Sequence, residues 1–149
     1  MKNKIIIPVL VVILIGLWSS REVVAPPISP PTPTITIGDT KIEVEIADTA
    51  ESRAQGLSGR TSLPENSGLL FIFTESSQPG FWMKEMNFPI DIIWLDESWK
   101  IVDLTIEARP EKYPEIYLPR SPVHYVLEVN AGFISAHNLK IGDPARFTR

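Results

Sequence analysis

The chain has 149 residues, a formal net charge of -4 and no cysteine. This length accommodates one domain and little more, and the missing cysteines exclude disulfides, thiolate nucleophiles and cysteine-based metal sites. Because an acidic chain lacks the basic face that neutralises phosphates, nucleic acid is not an expected partner.

The first 24 residues predict a membrane anchor or a signal peptide. Two lysines within residues 2–4 precede an uncharged apolar run, Ile5 to Trp18, and this order is typical of export signals and anchors. Leu17-Trp18-Ser19-Ser20-Arg21 fits a cleavage site poorly, because Trp18 or Leu17 falls where a small residue is needed. We therefore expect an uncleaved single-pass helix in the cell membrane rather than secretion. The lysines place the remaining chain on the extracytoplasmic side.

A proline-rich stretch follows, APPISPPTPT at residues 25–34. Proline fixes the backbone angle φ and removes a hydrogen-bond donor, so this stretch predicts an extended, semi-rigid spacer. The chain therefore divides into an anchor at 1–24, a linker at 25–34 and a domain at 35–149.

Short strands dominate the predicted domain. Alternating apolar and polar residues around Gly38-Asp39 indicate a hairpin, and Asp48 with Glu51 predicts a capped helix that ends near Gly56. Further strands are expected at Gly68–Thr74, Phe81–Met83, Ile90–Leu95, Lys100–Glu107 and Val123–Asn130, with a helical turn in Ala131–Asn138 and a last strand after Gly142-Asp143-Pro144. This pattern predicts a mainly β fold, a small β-sandwich or barrel with one or two short helices.

The densest stretch is FWMKEMNFPIDIIWLD, residues 81–96. Strand periodicity places Trp82 and Lys84 on one face, and it separates Asp91 from Ile90 and Ile92. Glu128 likewise interrupts an apolar strand. Because an isolated buried charge is costly, each charged group must pair, reach water or bind a ligand.

Other chemistry is not indicated. His124 and His137 lack a metal-ligand spacing, so no metal site is predicted. Neither a nucleophile elbow nor a glycine-rich phosphate loop occurs in the sequence, and no cofactor is expected.

Several motifs in order resemble the domain of unknown function family 192. They are ESRAQGLSGR from Glu51, GLLFIF from Gly68, FWMK from Phe81, PIDI from Pro89, YVLEVNAG from Tyr125 and the Gly142-Asp143 pair. The resemblance covers nearly all of residues 35–149. It implies a small β-rich domain, often exported or membrane-tethered in prokaryotes, and it implies no established reaction.

The charged motif positions lead to a hypothesis for a ligand site formed by Arg53, Trp82, Lys84, Asp91 and Glu128. Arg53 would bind a carboxylate or phosphate through its planar fork, Lys84 would add charge and Trp82 would stack. The two acids would orient the cations or accept ligand hydroxyls. A salt-bridge network that joins the helix to the sheet explains the same residues without a ligand.

Three functions therefore stay open. The first is a membrane-tethered binding or accessory module for a small polar or anionic envelope ligand, such as a glycan. The second is a hydrolase that acts on envelope material with Asp91 or Glu128 as acid or base. The third is a module that docks a protein partner through an apolar patch.

Overall fold

The computed structural model describes residues 31–149 and confirms the mainly β fold. The strands are β1 Thr34–Ile37, β2 Thr40–Ala47, β3 Ser67–Ser77, β4 Phe81–Trp82, β5 Ile90–Leu95, β6 Ile101–Ala108, β7 Ile116–Tyr117, β8 Val123–Asn130 and β9 Ala145–Thr148. The helices are α1 Ala50–Gln55 and α2 Phe133–Ala136, with a 3-10 turn at Pro110–Lys112. The predicted anchor lies outside the described residues, as does most of the predicted linker. Within residues 31–149, no helix has the length and apolarity needed to cross a membrane.

Seven strands form one curled sheet in the order β6-β5-β8-β3-β2-β1-β9. The β2–β3 pair is parallel, and the other neighbouring pairs are antiparallel. The two edges meet at a bridge between Lys100 and Pro144. There the Ile101 amide donates to the Asp143 carbonyl at 2.9 Å and the Ala145 amide donates to the Trp99 carbonyl at 2.7 Å. The sheet thus closes at one end like a barrel.

The sheet buries apolar side chains on both faces. Successive strand residues point to opposite faces, so Ile93 and Leu95 join the core inside the curl while Ile90, Ile92 and Trp94 join the core on the outer face. This confirms the alternation predicted for β5. The outer core also contains Leu57, Leu63, Met83 and Met86 from the segments around β4 and after α1, and these segments cover the sheet.

The predicted cap of α1 is wrong by one residue. Thr49, not Asp48, caps the helix, because its Oγ1 accepts from the Ser52 amide at 3.1 Å while Ser52 Oγ accepts from the Thr49 amide at 3.0 Å. Asp48 instead contributes its backbone carbonyl to the Arg53 side chain. The predicted end of the helix at Gly56 is confirmed, and Gly56 has a φ of +51°.

An ion pair between the buried Asp103 and the exposed Arg120 holds the irregular segment between β6 and β8. Asp103 is 6% exposed and accepts from Nη2 and Nε of Arg120 at 2.7 and 3.0 Å, and from its amide at 2.8 Å. The Arg120 side-chain hydrogen bonds lower the pKa of Asp103 despite its burial. The segment fixed in this way carries β7, which pairs with β4 and supports one wall of the cavity described next.

Candidate functional site

A cavity of about 220 Å³ lies on the outer face of the sheet, between α1, β3, β4 and β8. Its apolar walls are formed by Leu57, Phe71, Phe73, Phe81 and Met86. Two ionisable side chains, Arg53 and Glu128, also line it. This combination of apolar walls and a few polar groups is typical of small-molecule sites.

The aromatic wall follows from strand periodicity. Phe71 and Phe73 are two residues apart on β3, so both point to the outer face. The Phe81 ring packs edge-on against Phe71, with centroids 4.8 Å apart, and edge-on against Trp94 at 5.3 Å. These contacts are favourable ring geometries, and they fix the shape of the cavity.

Glu128 lies on β8 in the middle of the sheet, opposite Leu69 of β3 and Ile92 of β5. Its side chain is 6% exposed, and Oε2 is buried without a hydrogen-bond partner among residues 31–149. Burial raises the pKa of Glu128 to about 8, against an opposing influence of the Arg60 charge. The carboxyl is therefore mostly protonated at neutral pH.

Arg60 does not neutralise Glu128, because its guanidinium is already paired. Its Nη1 and Nη2 donate to the two carboxylate oxygens of Glu45 at 2.6 and 2.8 Å. These hydrogen bonds lower the pKa of Glu45 and raise that of Arg60. Within residues 31–149, the bidentate pair thus leaves the carboxyl of Glu128 without a counter-ion in direct contact.

Arg53 joins α1 to the sheet beside the cavity. Its Nη1 donates to the carbonyl of Asp48 at 2.7 Å and to that of Ile72 at 3.1 Å. Its guanidinium carbon lies 5.3 Å from the ring centroid of Phe73, within the range of a cation–π contact. Both hydrogen bonds of this side chain within the described residues leave from Nη1, so Nε and Nη2 are available to a ligand.

Trp82 stands at the mouth of the cavity, 54% exposed and edge-on to Tyr113 at 6.5 Å. Lys84 lines an adjoining hollow that also touches Trp82. Its Nζ lies 4.0 Å from a carboxylate oxygen of Glu85, and both side chains are more than half exposed. Lys84 is therefore near the mouth and not in the cavity.

The structure does not bring Asp91 to the cavity. Asp91 is fully buried, and its Oδ1 accepts from the Glu107 amide and its Oδ2 from the Ile134 amide, each at 2.9 Å. It joins β6 to the start of α2. In the part of the chain that the structure describes, neither Arg53 nor Lys84 forms an ion pair with Asp91 or Glu128, so the alternative of a salt-bridge network among these residues is not what the structure shows.

Sequence reasoning missed some residues that shape the site. Phe71 and Phe73 had a usable signal, because their two-residue spacing in GLLFIF places them on one face of a strand. The Arg60–Glu45 pair had no local signal, since its partners lie on separate segments.

Sequence comparisons relate the chain to one family of proteins. Residues 33–147 match the model of the family DUF192, described as an uncharacterized ACR. A UPF0127 protein of Pyrococcus furiosus is 30% identical over 116 residues, which are 74% of this chain and 91% of that protein. A UPF0127 protein of Thermococcus sibiricus is 35% identical over 102 residues, 67% of this chain, and the match spans 62% of the length of that protein.

Two solved structures are similar over 77% of this chain, each with a TM-score of 0.71. One is a Sinorhizobium meliloti protein described as a candidate transcription regulator, 29% identical and covered over 91% of its length. The other is a protein of unknown function from Novosphingobium aromaticivorans, 26% identical and covered over 83%.

Proposed function

The chain belongs to the DUF192 family, and from that premise we propose that it is a binding module for a small molecule with an apolar body and a polar head. The observation that carries the proposal is the buried carboxyl of Glu128 in a cavity with aromatic walls, where one of its oxygens has no hydrogen-bond partner among residues 31–149. Leaving a buried polar atom without a partner costs about 1–3 kcal/mol. A ligand that supplies the missing hydrogen bond recovers this free energy.

The proposal extends to a place in the cell. The two lysines, the apolar run and the prolines of residues 1–34 support a module held outside the cytoplasm by an N-terminal helix in the cell membrane, with secretion as the alternative. Small polar or anionic molecules of the cell envelope, including glycans, are then the available ligands.

A hydrolase is the second candidate, because a carboxyl with a pKa of about 8 suits acid–base chemistry near neutral pH. Typical glycoside hydrolysis requires two carboxyl groups across the bond that is cleaved. Among the described residues that line the cavity, Glu128 is the only acid, and Asp91 has both oxygens occupied elsewhere. These facts favour binding over hydrolysis.

A protein partner is the third candidate, and exposed apolar residues beside the cavity support it. Trp82, Tyr113, Ile116 and Leu118 are each 48–60% exposed on or near the β4–β7 pair. The description of the Sinorhizobium meliloti protein as a regulator does not lead us to propose DNA binding, because this chain carries a net charge of -4 and DNA binding needs a basic face.

A ligand screen tests the proposed function. The whole chain is screened by thermal shift against sugars, nucleotides, amino acids, organic anions and divalent metals, where a ligand at about 100 times its Kd stabilises by roughly 2.7 kcal/mol. The variant Ala54→Phe fills the mouth, because Ala54 is an exposed helix residue that lines the cavity. Ala50→Phe is the matched control, since Ala50 is exposed on the same helix and lies outside the lining.

We expect a hit that Ala54→Phe abolishes and Ala50→Phe retains. A hit that both variants retain would show that the ligand binds elsewhere. A screen without any hit would contradict the proposal and leave the protein-partner function as the better candidate.

A further inference from the structure

We infer that the polar head of the ligand is a carboxylate, received by the carboxyl of Glu128 and the guanidinium of Arg53, so that the ligand is a small monocarboxylate with a short apolar tail. The inference rests on the proposed binding function and names its class of ligand.

Among the described residues that line the cavity, Arg53 and the protonated Glu128 offer unused donors, while Gln55 and Ser58 keep acceptor oxygens. Gln55 Nε2 already donates to the Ser58 carbonyl and Ser58 Oγ to the Lys84 carbonyl, each at 2.9 Å. Arg53 has only donors, and Nε and Nη2 remain unused within the described residues. A protonated Glu128 adds an O–H donor. Unused donors select a ligand head that is rich in acceptors, and a carboxylate has two acceptor oxygens and no donor.

The charges around Glu128 also favour an anion. The strand residues that flank it, Leu69 and Ile92, are apolar. Arg53 of α1 is a cation that lines the same cavity, and the charge of Arg60, which lies after α1 and is paired with Glu45, acts on Glu128. From β4 and the segment after it, the lining residues Phe81, Trp82 and Met86 carry no charge. A carboxylate head that contacts both Arg53 and Glu128 would meet a cation and a neutral acid, and a hydrogen bond from an acid to a carboxylate is of the strong, charge-assisted kind.

The size and walls of the cavity define the rest of the ligand. A volume of about 220 Å³ is below the roughly 300–1,000 Å³ of pockets that hold drug-sized ligands. The Phe71, Phe73 and Phe81 rings suit a phenyl group or a short aliphatic chain.

The protonation of Glu128 gives this class of ligand a distinctive pH dependence. As the pH rises above the pKa of about 8, the carboxyl ionises, loses its donor and repels the ligand. The affinity for a carboxylate should then fall about tenfold for each further pH unit. An amine ligand would show the opposite trend in this range as long as it stays protonated, because ionised Glu128 attracts it.

Three matched probes test the inference: phenylacetate, phenylacetamide and phenethylamine. Isothermal titration calorimetry on the whole chain measures each Kd at about pH 6.5 and about pH 9.5. We expect phenylacetate to bind best at the lower pH and its affinity to fall about tenfold or more at the higher pH.

Glu128→Gln should retain phenylacetate binding through its amide N–H and remove the pH dependence. Arg53→Lys, which loses the planar fork, should weaken phenylacetate about tenfold and leave phenylacetamide nearly unchanged.

Preferential binding of phenethylamine would overturn the carboxylate assignment. If Ala54→Phe then abolished phenethylamine binding, the proposed function would still hold. A Kd for phenylacetate that does not change with pH would overturn the assignment as well. If none of the three probes binds, the inference is wrong, and the broad screen decides separately whether the cavity binds anything. If Glu128→Gln fails to fold, the comparison of phenylacetate with phenylacetamide across pH in the unchanged chain still decides.

Discussion

The carboxyl of Glu128 links the stability of the unliganded domain to pH. Its pKa is about 8 when folded, against an ordinary value of 4.5, so the folded state binds more protons between these two values. The contribution of Glu128 to the free energy of unfolding is therefore fully present below about pH 4.5, falls as the pH rises to about 8 and is level above that. Glu45 and Asp103, whose pKa values are lowered by hydrogen bonds from Arg60 and Arg120, titrate below this window.

Glu128→Gln should remove this decline. We expect the free energy of unfolding of the unchanged chain to fall by at most about 1.4 kcal/mol for each pH unit in the window, and that of the variant to stay nearly level. Urea denaturation at about pH 5, 7 and 9 measures both curves. Parallel curves would mean that Glu128 is ionised in the folded protein at neutral pH.

Asp91 gives a second test at the scale of one residue. Asp91→Asn keeps one acceptor oxygen but turns an amide N–H₂ toward a backbone donor, either the Glu107 or the Ile134 amide. We expect a loss of about 1–3 kcal/mol in unfolding free energy, without a change in ligand affinity. The control, Asp39→Asn, lies in the exposed β1–β2 turn and should stay within about 0.5 kcal/mol. Lost ligand affinity with full stability would instead place Asp91 in the site.

At the scale of an element, α1 depends on its cap because none of its residues is buried. Thr49→Ala removes the acceptor for the Ser52 amide and should cost about 0.5–2 kcal/mol. Asp48→Ala keeps the carbonyl that Arg53 uses and should cost less than about 0.5 kcal/mol. Urea denaturation of the two variants decides between the two caps. The reverse order of losses would support the cap predicted from the sequence.

The elements that were predicted well are those with a strong local pattern. The bounds of β5 and β8 agree with the predicted ranges, because alternation along a strand needs no information from elsewhere in the chain. The cap of α1 was missed because Asp and Thr are both favourable cap residues. The short β4–β7 pair depends on a contact between distant segments, which a local pattern does not reveal.

The same distinction between local pattern and distant pairing explains the candidate site. The charged motif positions led to the hypothesis of one pocket, and three of its five residues, Arg53, Trp82 and Glu128, line the cavity. Asp91 was placed with them because the register between strands was unknown. In the structure Ile92 lies opposite Glu128, so Asp91, one residue earlier, points to the other face of the sheet.

At the scale of the whole molecule, the closure of the sheet makes distant segments depend on one another. Beside the Lys100–Pro144 bridge, the Trp99 ring stacks on Tyr125 at 3.6 Å and on Phe147 at 5.3 Å between centroids. These rings join the turn before β6 to β8 and β9. A seven-stranded sheet that closes on itself has fewer free edges, and this protects it from pairing with another chain.

Trp99→Ala tests whether this closure stabilises the whole domain. We expect a loss of about 2–4 kcal/mol in unfolding free energy, because the variant removes a large ring that stacks on two others. Trp82→Ala is the matched control, since Trp82 is 54% exposed and should cost about 1 kcal/mol or less. Urea denaturation followed by circular dichroism measures both variants. An equal, small loss in both would mean that the curled sheet is stable without its aromatic closure, and that the strand pairings alone hold the barrel together.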